Sequence, residues 1–245
     1  MIREPTGVSG FDELIQGGLI SGRVYTLCGP PGSGKTTFGV QFLVKGASIG
    51  QKGIFITMNE PIDSITMDMS NYRFDIDGLV KLNKVLFLDL GPKREYGFFE
   101  DPRNMAMVNR EAEADAPSPR IVYEKIREYV EKESVKRVVL DSSSAIRFTT
   151  DDTARQEKSV SRFIRNLKNL GCTTILLSEM TNPSSYTIEH FACHGVIFLH
   201  NYFDPKTNGM TRAVQIVKMR GTKHSCNMKK VKFADDGLMV LDEGP

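Results

Sequence analysis

The sequence has 245 residues, of which 40% are hydrophobic and 25% charged, and this composition and length suit one large α/β domain over residues 1–245. The formal net charge is only +2, from 32 basic and 30 acidic residues, so no overall positive field draws the chain to nucleic acid or to an anionic membrane. No apolar run approaches the ~20 residues that a membrane span needs, and residues 1–10 lack a signal-peptide pattern, so we expect a cytoplasmic protein without a membrane span.

Apolar runs alternate with helical patterns through the first two thirds of the chain. Strands are predicted at residues 23–28, 53–58, 85–90, 135–141 and 173–178. Helices are predicted at residues 35–49 and 61–72, with two more that open near residues 118 and 153. Continuous apolar runs separated by helices are typical of a parallel sheet that is buried on both faces. The pattern therefore predicts a central, mostly parallel sheet with helices on both faces.

The last third of the chain changes pattern. Apolar runs at residues 196–202, 213–220, 231–233 and 238–241 follow one another with no helix between them. Turns such as Asp204-Pro205 and Asn208-Gly209 are suited to hairpins. We therefore expect an antiparallel C-terminal extension of the same sheet. Residues 91–118 show no clear periodicity, and we expect a loop or lid insertion there.

The cysteine and histidine residues do not form a convincing metal site. Cys28, Cys172, Cys193 and Cys226 are far apart and include no CxxC pair, so they are interpreted as thiols in a reducing compartment. His190 and His194 lie four residues apart beside Cys193. No carboxylate completes an H-E-x-x-H pattern there, and an apolar strand follows at once.

The strongest chemical signal lies between the first strand and the first long helix. Residues Gly29, Pro30, Pro31, Gly32, Ser33, Gly34, Lys35 and Thr36 match the phosphate-binding pattern G-x-x-x-x-G-K-[ST]. Glycines let such a loop wrap with its amide N–H groups pointing at phosphates, and the following helix aims its positive end at the same anion. We expect the Lys35 ammonium on the β and γ phosphates and the Thr36 hydroxyl on magnesium, with Thr37 also beside the nucleotide. ATP and Mg²⁺ are the predicted cofactors.

A second signal is the apolar strand at residues 136–141, which ends in Asp141. An apolar strand that ends in aspartate after a phosphate loop indicates a Walker B strand. We expect the Asp141 carboxylate to hold a magnesium-bound water beside Thr36.

Two further segments carry a family resemblance. The segment before the phosphate loop resembles that of the RecA superfamily, with TGVSGFDEL at 6–14, GGL at 17–19 and Gly22. A late segment, KMRGTKH at 218–224, resembles a segment of KaiC-like proteins. The resemblance covers residues 7 to about 236, one module where KaiC has two. It implies a ring-forming regulatory ATPase, a homohexamer with ATP between subunits and a shape change that an unknown protein partner senses.

The resemblance also assigns roles to the late segment. It implies that Lys218 and Arg220 reach the γ-phosphate of the adjacent subunit and that Thr222 and His224 approach the same nucleotide. Independently, Lys218 and Arg220 alternate on one strand face, where two cations side by side need an anion. Because they follow the parallel sheet, we expect them far along the sheet from their own phosphate loop.

The candidate general base departs from the family pattern. KaiC-like proteins usually carry two adjacent glutamates after the second strand, whereas this chain has Asn59 and Glu60. Asparagine can orient a water but cannot accept its proton, so Glu60 is the candidate base and the hydrolysis rate is expected to be low. Ser178, at the end of the strand after the Walker B strand, is the candidate γ-phosphate sensor.

Two alternative functions stay open at this stage. One is a nucleotide-gated binding module that hydrolyses ATP little and signals by assembling, which Asn59 favours. The other is a RadA-like recombination protein that binds DNA. The net charge does not support nucleic-acid binding, and the short segment before the first strand has no room for a separate DNA-binding domain.

Overall fold

The structure is a computed structural model that describes residues 1–91, 117–143, 146, 153–184, 186–205 and 208–242. The loop or lid expected at residues 91–118 lies, apart from its two ends, outside the described residues. In the described part of the chain, no helix combines the length and the apolar character needed to cross a membrane.

Eleven strands are described. They are β1 (Arg3–Glu4), β2 (Leu19–Ile20), β3 (Val24–Gly29), β4 (Gly53–Thr57), β5 (Val85–Asp89), β6 (Arg137–Asp141), β7 (Thr173–Glu179), β8 (Gly195–Asp204), β9 (Gly209–Met219), β10 (Lys229–Ala234) and β11 (Gly237–Val240). The described helices are α1 (Phe11–Leu14), α2 (Lys35–Ser48), α3 (Ile62–Met69), α4 (Ile76–Lys81), α5 (Pro119–Glu133), α6 (Thr153–Asn169) and α7 (Ile188–Ala192).

A nine-stranded sheet organises these elements, in the order β11-β10-β9-β8-β3-β7-β6-β4-β5. The pairs β5–β4, β4–β6, β6–β7, β7–β3 and β3–β8 are parallel. The pairs β8–β9, β9–β10 and β10–β11 are antiparallel. This confirms the predicted mostly parallel sheet with an antiparallel C-terminal extension.

One strand was assigned to the wrong part of the sheet. The run at residues 196–202 was expected to open the antiparallel extension, but its strand β8 pairs with β3 in parallel and with β9 in antiparallel. The short helix α7 crosses over between β7 and β8, and such a crossover is what a parallel connection needs. The antiparallel part therefore begins one strand later, at β9.

Helices cover both faces of the parallel sheet, as predicted. Alternate residues of β6 point to opposite faces, so Val139 joins the core formed with α2 while Val138 and Leu140 join the core formed with α5 and α6. Phe42 represents the first core and Phe163 the second, and both are buried. Because every parallel strand runs the same way, the strand ends at one edge of the sheet bring the loops after β3, β4, β6 and β7 together.

Candidate nucleotide-binding site

The loop between β3 and α2 has the backbone shape that its glycines permit. Gly34 caps α2 with φ 100°, a left-handed conformation that glycine adopts at little cost. A Cβ atom built on Gly29 would lie 2.4 Å from the Leu199 carbonyl oxygen, so only glycine fits where β3 enters the loop. Ser33 presents a buried hydroxyl that has no hydrogen-bond partner among the described residues. A phosphate in the loop would supply that partner.

The Lys35 ammonium contacts the first residues of this loop. Its Nζ donates to the carbonyl oxygens of Gly29 at 2.8 Å and Pro30 at 3.1 Å. Burial lowers the pKa of Lys35, while the nearby carboxylates of Asp141 and Glu179 act in the opposite direction. A partly buried ammonium that is hydrogen-bonded only to neutral carbonyls is stabilised when an anion binds beside it.

Thr36 and Asp141 meet across the sheet edge. The Thr36 hydroxyl donates to Asp141 Oδ2 at 3.1 Å. Burial raises the pKa of Asp141, and the Thr36 hydrogen bond and the Lys35 charge partly offset that rise. Hydroxyl and carboxylate oxygens are the ligands that magnesium takes from proteins, so this pair fits the ion that the sequence predicts.

An open cleft of about 390 Å³ lies beside the loop, within the range of small-molecule sites. One wall of the cleft includes Thr36 and Thr37. A second wall is formed by α3 and the turn after it, with Asp68, Asn71 and Tyr72. Phe233 of β10 also lines the cleft. The cleft therefore continues from the phosphate loop to a mixed polar and aromatic surface. That surface could hold a nucleoside.

Glu60 reaches the cleft and Asn59 turns aside. Glu60 lines the cleft, and its Oε1 accepts from the Ser64 hydroxyl at 2.6 Å. Asn59 is exposed, and its Nδ2 donates to the Ser142 hydroxyl at 3.4 Å, just after β6. Of the two residues, only Glu60 combines a carboxylate with a place in the cleft.

Ser178 is joined to a residue that the sequence did not single out. The Ser178 hydroxyl donates to Glu189 Oε2 at 3.4 Å, and the Ser143 hydroxyl lies between the same oxygen, at 3.4 Å, and the Leu177 carbonyl oxygen, at 3.3 Å. Burial raises the pKa of Glu189, and the two serine hydrogen bonds act against that rise. Glu189 lies on α7, and only the folded chain brings that helix to the ends of β6 and β7.

Lys218 and Arg220 do not lie at the phosphate loop of their own chain. Lys218 pairs with Val196, which pairs with Thr26 of β3, three residues before the loop begins at Gly29. Lys218 is therefore about 10 Å from Gly29 along the strand direction and about 10 Å across two strands, and Arg220 lies further toward the amino ends. The expectation that they lie far along the sheet was wrong, because β9 is only two strands from β3. Their distance from the loop arises along the strands at least as much as across the sheet.

The residues after β9 have other contacts. Thr222 Oγ1 accepts from Arg3 Nη1 at 3.0 Å. His224 Nδ1 lies 3.3 Å from the Ser225 carbonyl oxygen. Their expected approach to a neighbour's nucleotide stays a prediction, since a single chain is described.

Two side chains that the sequence did not indicate brace the phosphate loop. Arg212, near the start of β9, donates from Nε to the Gly32 carbonyl at 3.0 Å, and its guanidinium carbon lies 4.9 Å from the centre of the Phe233 ring. Asn201 of β8 donates from Nδ2 to the Pro31 carbonyl at 3.5 Å. The β8–β9 hairpin brings both to the carboxyl edge of β3. No local motif marks them.

Comparison with known proteins places this geometry in a family. A family model described as the KaiC ATPase matches residues 4–244. The circadian clock oscillator protein KaiC of Prochlorococcus marinus subsp. pastoris is 29% identical over 245 residues, 98% of this chain and 45% of the relative. The circadian clock protein KaiC3 of Synechocystis is 33% identical over 224 residues, 89% of this chain and 41% of the relative.

A solved structure is similar over nearly its full length. The crystal structure of a KaiC-like protein from the hyperthermophilic archaeon Pyrococcus horikoshii OT3 matches with a TM-score of 0.77 and 29% identity, covering 98% of this chain and 99% of that one. The chain thus spans less than half the length of the two clock proteins and nearly all of the archaeal protein.

Proposed function

Since this chain belongs to the KaiC family of ATPases, we propose that it binds ATP with magnesium and hydrolyses it at a site shared between subunits of a homohexameric ring. The observation that carries the proposal is the position of the cations. The phosphate loop follows the carboxyl end of β3, whereas Lys218 and Arg220 lie toward the amino end of that strand. One subunit alone therefore does not assemble all of the charged groups.

The phosphate loop binds and orients the substrate. Its amide groups and the start of α2 hold the phosphates, and Lys35 exchanges the carbonyls of Gly29 and Pro30 for the β and γ phosphates. Thr36 and Asp141 would hold the metal. Magnesium, when bound, supplies positive charge that stabilises the phosphates.

Glu60 acts as the general base. A base must lie within hydrogen-bond reach of the attacking water, and Glu60 combines a place in the cleft with a hydrogen bond that orients its carboxylate. Ser178, near the end of β7, acts as the sensor that hydrogen-bonds to the γ-phosphate. The nucleoside lies toward Tyr72 and Phe233, at the far end of the same cleft.

A head-to-tail contact completes the site. Such heterologous contacts close into a ring and bring different surfaces of two identical subunits together. Lys218 and Arg220 of one subunit then face the γ-phosphate of the next, with Thr222 and His224 in the same segment. An arginine supplied from a second chain adds about 10³–10⁵ in rate in enzymes that use one.

A second candidate is a nucleotide-gated binding module with little hydrolysis. The observation that favours it is the amide of Asn59, which is directed to Ser142 and supplies no carboxylate. Measuring turnover and ATP affinity under the same conditions separates the two functions. Tight binding with turnover no faster than that of Glu60→Gln supports the binding module.

Mixing two inactive variants tests the shared site. Arg220→Ala retains Glu60, and Glu60→Gln retains Arg220, so about a quarter of the interfaces in a randomly mixed ring hold both residues. We expect phosphate release to return to about a quarter of the wild-type rate on mixing. A control mixture of Arg220→Ala with the double variant Glu60→Gln/Arg220→Ala restores none. If mass measurements show that mixed rings form and these rings stay inactive, the site is complete within one chain.

A further inference from the structure

The short helix α7 contacts two parts of the molecule that the proposed function places in different nucleotide sites. Its first turn carries Glu189, which binds Ser178 at the sheet edge of this subunit's own phosphate loop. Its last carbonyls bind Lys218 and Arg220, which would serve the next subunit. One helix of five residues therefore touches the sensor of one site and the cations of another.

The contact between Ser178 and Glu189 cannot persist unchanged once Ser178 binds a phosphate. A serine hydroxyl has a single O–H to donate, and in the structure Ser178 donates it to Glu189 Oε2. If the hydroxyl turns to the γ-phosphate, the remaining donor at Glu189 Oε2 is the Ser143 hydroxyl, which lies 3.4 Å from it and is shared with the Leu177 carbonyl oxygen at 3.3 Å. A half-buried carboxylate that loses a donor is destabilised in its place, so α7 is then held less firmly.

Lys218 is in a corresponding position at the other end of the helix. Its Nζ donates to the carbonyls of His190 at 2.6 Å, Phe191 at 3.1 Å and Cys193 at 2.7 Å. An ammonium has three N–H groups, and these three bonds use them all. Lys218 must therefore release at least one carbonyl of this segment before it donates to a phosphate.

Other contacts make the helix one unit. Lys168 of α6 donates to the Ala192 carbonyl at 2.6 Å, and Arg220 Nη2 donates to the Phe191 carbonyl at 3.3 Å. Cations are favourable at a helix C-terminus, where unpaired carbonyls collect. His190 is buried, with Nε2 3.2 Å from Cys28 Sγ, one residue before the phosphate loop. A shift at one end of so short a segment thus reaches the other end.

We propose that α7 couples neighbouring nucleotide sites, holding Lys218 while Ser178 is bound to Glu189 and releasing it when Ser178 turns to a bound nucleoside triphosphate. This inference rests on the proposed ring and names its regulation. ATP in one subunit frees Lys218 for the ATP of the next subunit, so binding around the ring is positively cooperative. By linkage, nucleotide held by Lys218 favours release of Glu189 by Ser178 to the same extent. Glu189 is a positioning residue in this scheme and touches no substrate.

Equilibrium binding to assembled rings tests the coupling without requiring hydrolysis. The full chain is titrated with a fluorescent, non-hydrolysable ATP analogue and magnesium, at protein concentrations where mass measurements show the ring throughout. We expect a Hill coefficient above 1 for the wild type and about 1 for Glu189→Ala, whose α7 no longer responds to Ser178. The exposed Glu157→Ala, on α6, is the matched control and should keep the wild-type coefficient.

A second variant covers a failure of Glu189→Ala to assemble. Glu189→Gln has the same shape, and its neutral amide oxygen is a weaker acceptor than a carboxylate, so it should lower the coefficient in the same direction. A coefficient of 1 for assembled wild-type rings would overturn the coupling alone. So would a coefficient in the assembled Glu189 variants that is as high as that of the wild type. A chain that stays monomeric with saturating analogue would overturn the proposed ring and the coupling with it.

Discussion

Thr36 and Asp141 are joined by a hydrogen bond of 3.1 Å, although 105 positions separate them in the chain. The first residue stands near the start of α2 and the second at the end of β6. Two parallel strands that end at the same edge bring them together, with β7 between β3 and β6. The contact between Thr36 and Asp141 is therefore a product of the sheet order as much as of the two motifs.

We predict that Lys35→Ala weakens ATP binding about ten- to hundredfold, because hydrogen bonds to charged groups contribute about 1.5–3 kcal/mol. Equilibrium titration with a fluorescent ATP analogue measures the loss. Lys45→Ala, in the last turn of the same helix, is the matched control and should bind as the wild type does. Equal affinity in Lys35→Ala and the control would show that the phosphates bind elsewhere.

The proposed magnesium ligands give a separate prediction. Asp141→Asn should retain much of the nucleotide affinity measured without magnesium and lose the gain that magnesium adds, since an amide is a poorer ligand than a carboxylate for a hard cation. Titration with and without a chelator measures that gain. A variant whose affinity responds to magnesium as strongly as the wild type would move the metal site away from β6.

Glu60 and Asn59 are expected to differ in their effect on turnover. A general base contributes about 10²–10⁴-fold, so Glu60→Gln should lower phosphate release by about that factor with ATP affinity kept. Asn59→Glu should raise phosphate release, because it restores a carboxylate beside β6. If neither variant changes the rate, the base lies elsewhere or the chain has no hydrolysis to lose.

The local motifs could be predicted from the sequence because each consists of consecutive residues. The phosphate loop follows an apolar strand, and Asp141 ends another, so their edge of the sheet could be inferred. The parallel pairing of β8 could not, because residues 196–202 read equally well as a parallel or an antiparallel strand. Only the crossover by α7 distinguishes the two arrangements, and five residues are too few to show a helical period.

Tertiary contacts account for the site residues that were missed. Arg212 and Phe233 lie on strands with no motif, and the sheet order alone brings them to Gly32 and the cleft. Glu189 reaches Ser178 only because α7 packs across the strand ends. Sequence patterns report which face of an element is apolar, whereas these contacts depend on how two elements are placed together.

Phe233 yields a prediction about the end of the cleft where we propose that the nucleoside binds. Stacking of a base on an aromatic ring contributes about 1–3 kcal/mol, so Phe233→Ala should weaken ATP and ADP about five- to hundredfold and by similar factors. Phe203→Ala, at an exposed position near the end of β8, is the matched control. A Phe233 variant that binds both nucleotides as the control does would place the base away from β10.

His194 makes the stability of the fold depend on pH. Its Nδ1 accepts from the Val24 amide at 3.2 Å, so protonating that nitrogen breaks a bond between β3 and the segment that leads into β8. Burial lowers the pKa of His194 to about 4, and the positive charges of Lys168, Arg23 and Arg220 add to the shift. The unfolded chain, with an ordinary histidine pKa of about 6.5, therefore binds more protons than the folded chain between these two values.

Stability from His194 is thus fully present above about pH 6.5 and is lost as the pH falls toward about 4. His194→Asn offers an amide oxygen as acceptor for Val24 and has no proton to gain in this range. We predict that the free energy of unfolding of the wild type falls more steeply than that of the variant between about pH 6.5 and 4.5. Over this range the wild type should lose about 1–2 kcal/mol more of its free energy of unfolding than the variant does. Solvent screening at the partly exposed ring makes this smaller than the value that the pKa shift alone would give. Urea unfolding at a series of pH values measures both slopes, and equal slopes would show that His194 does not titrate with folding.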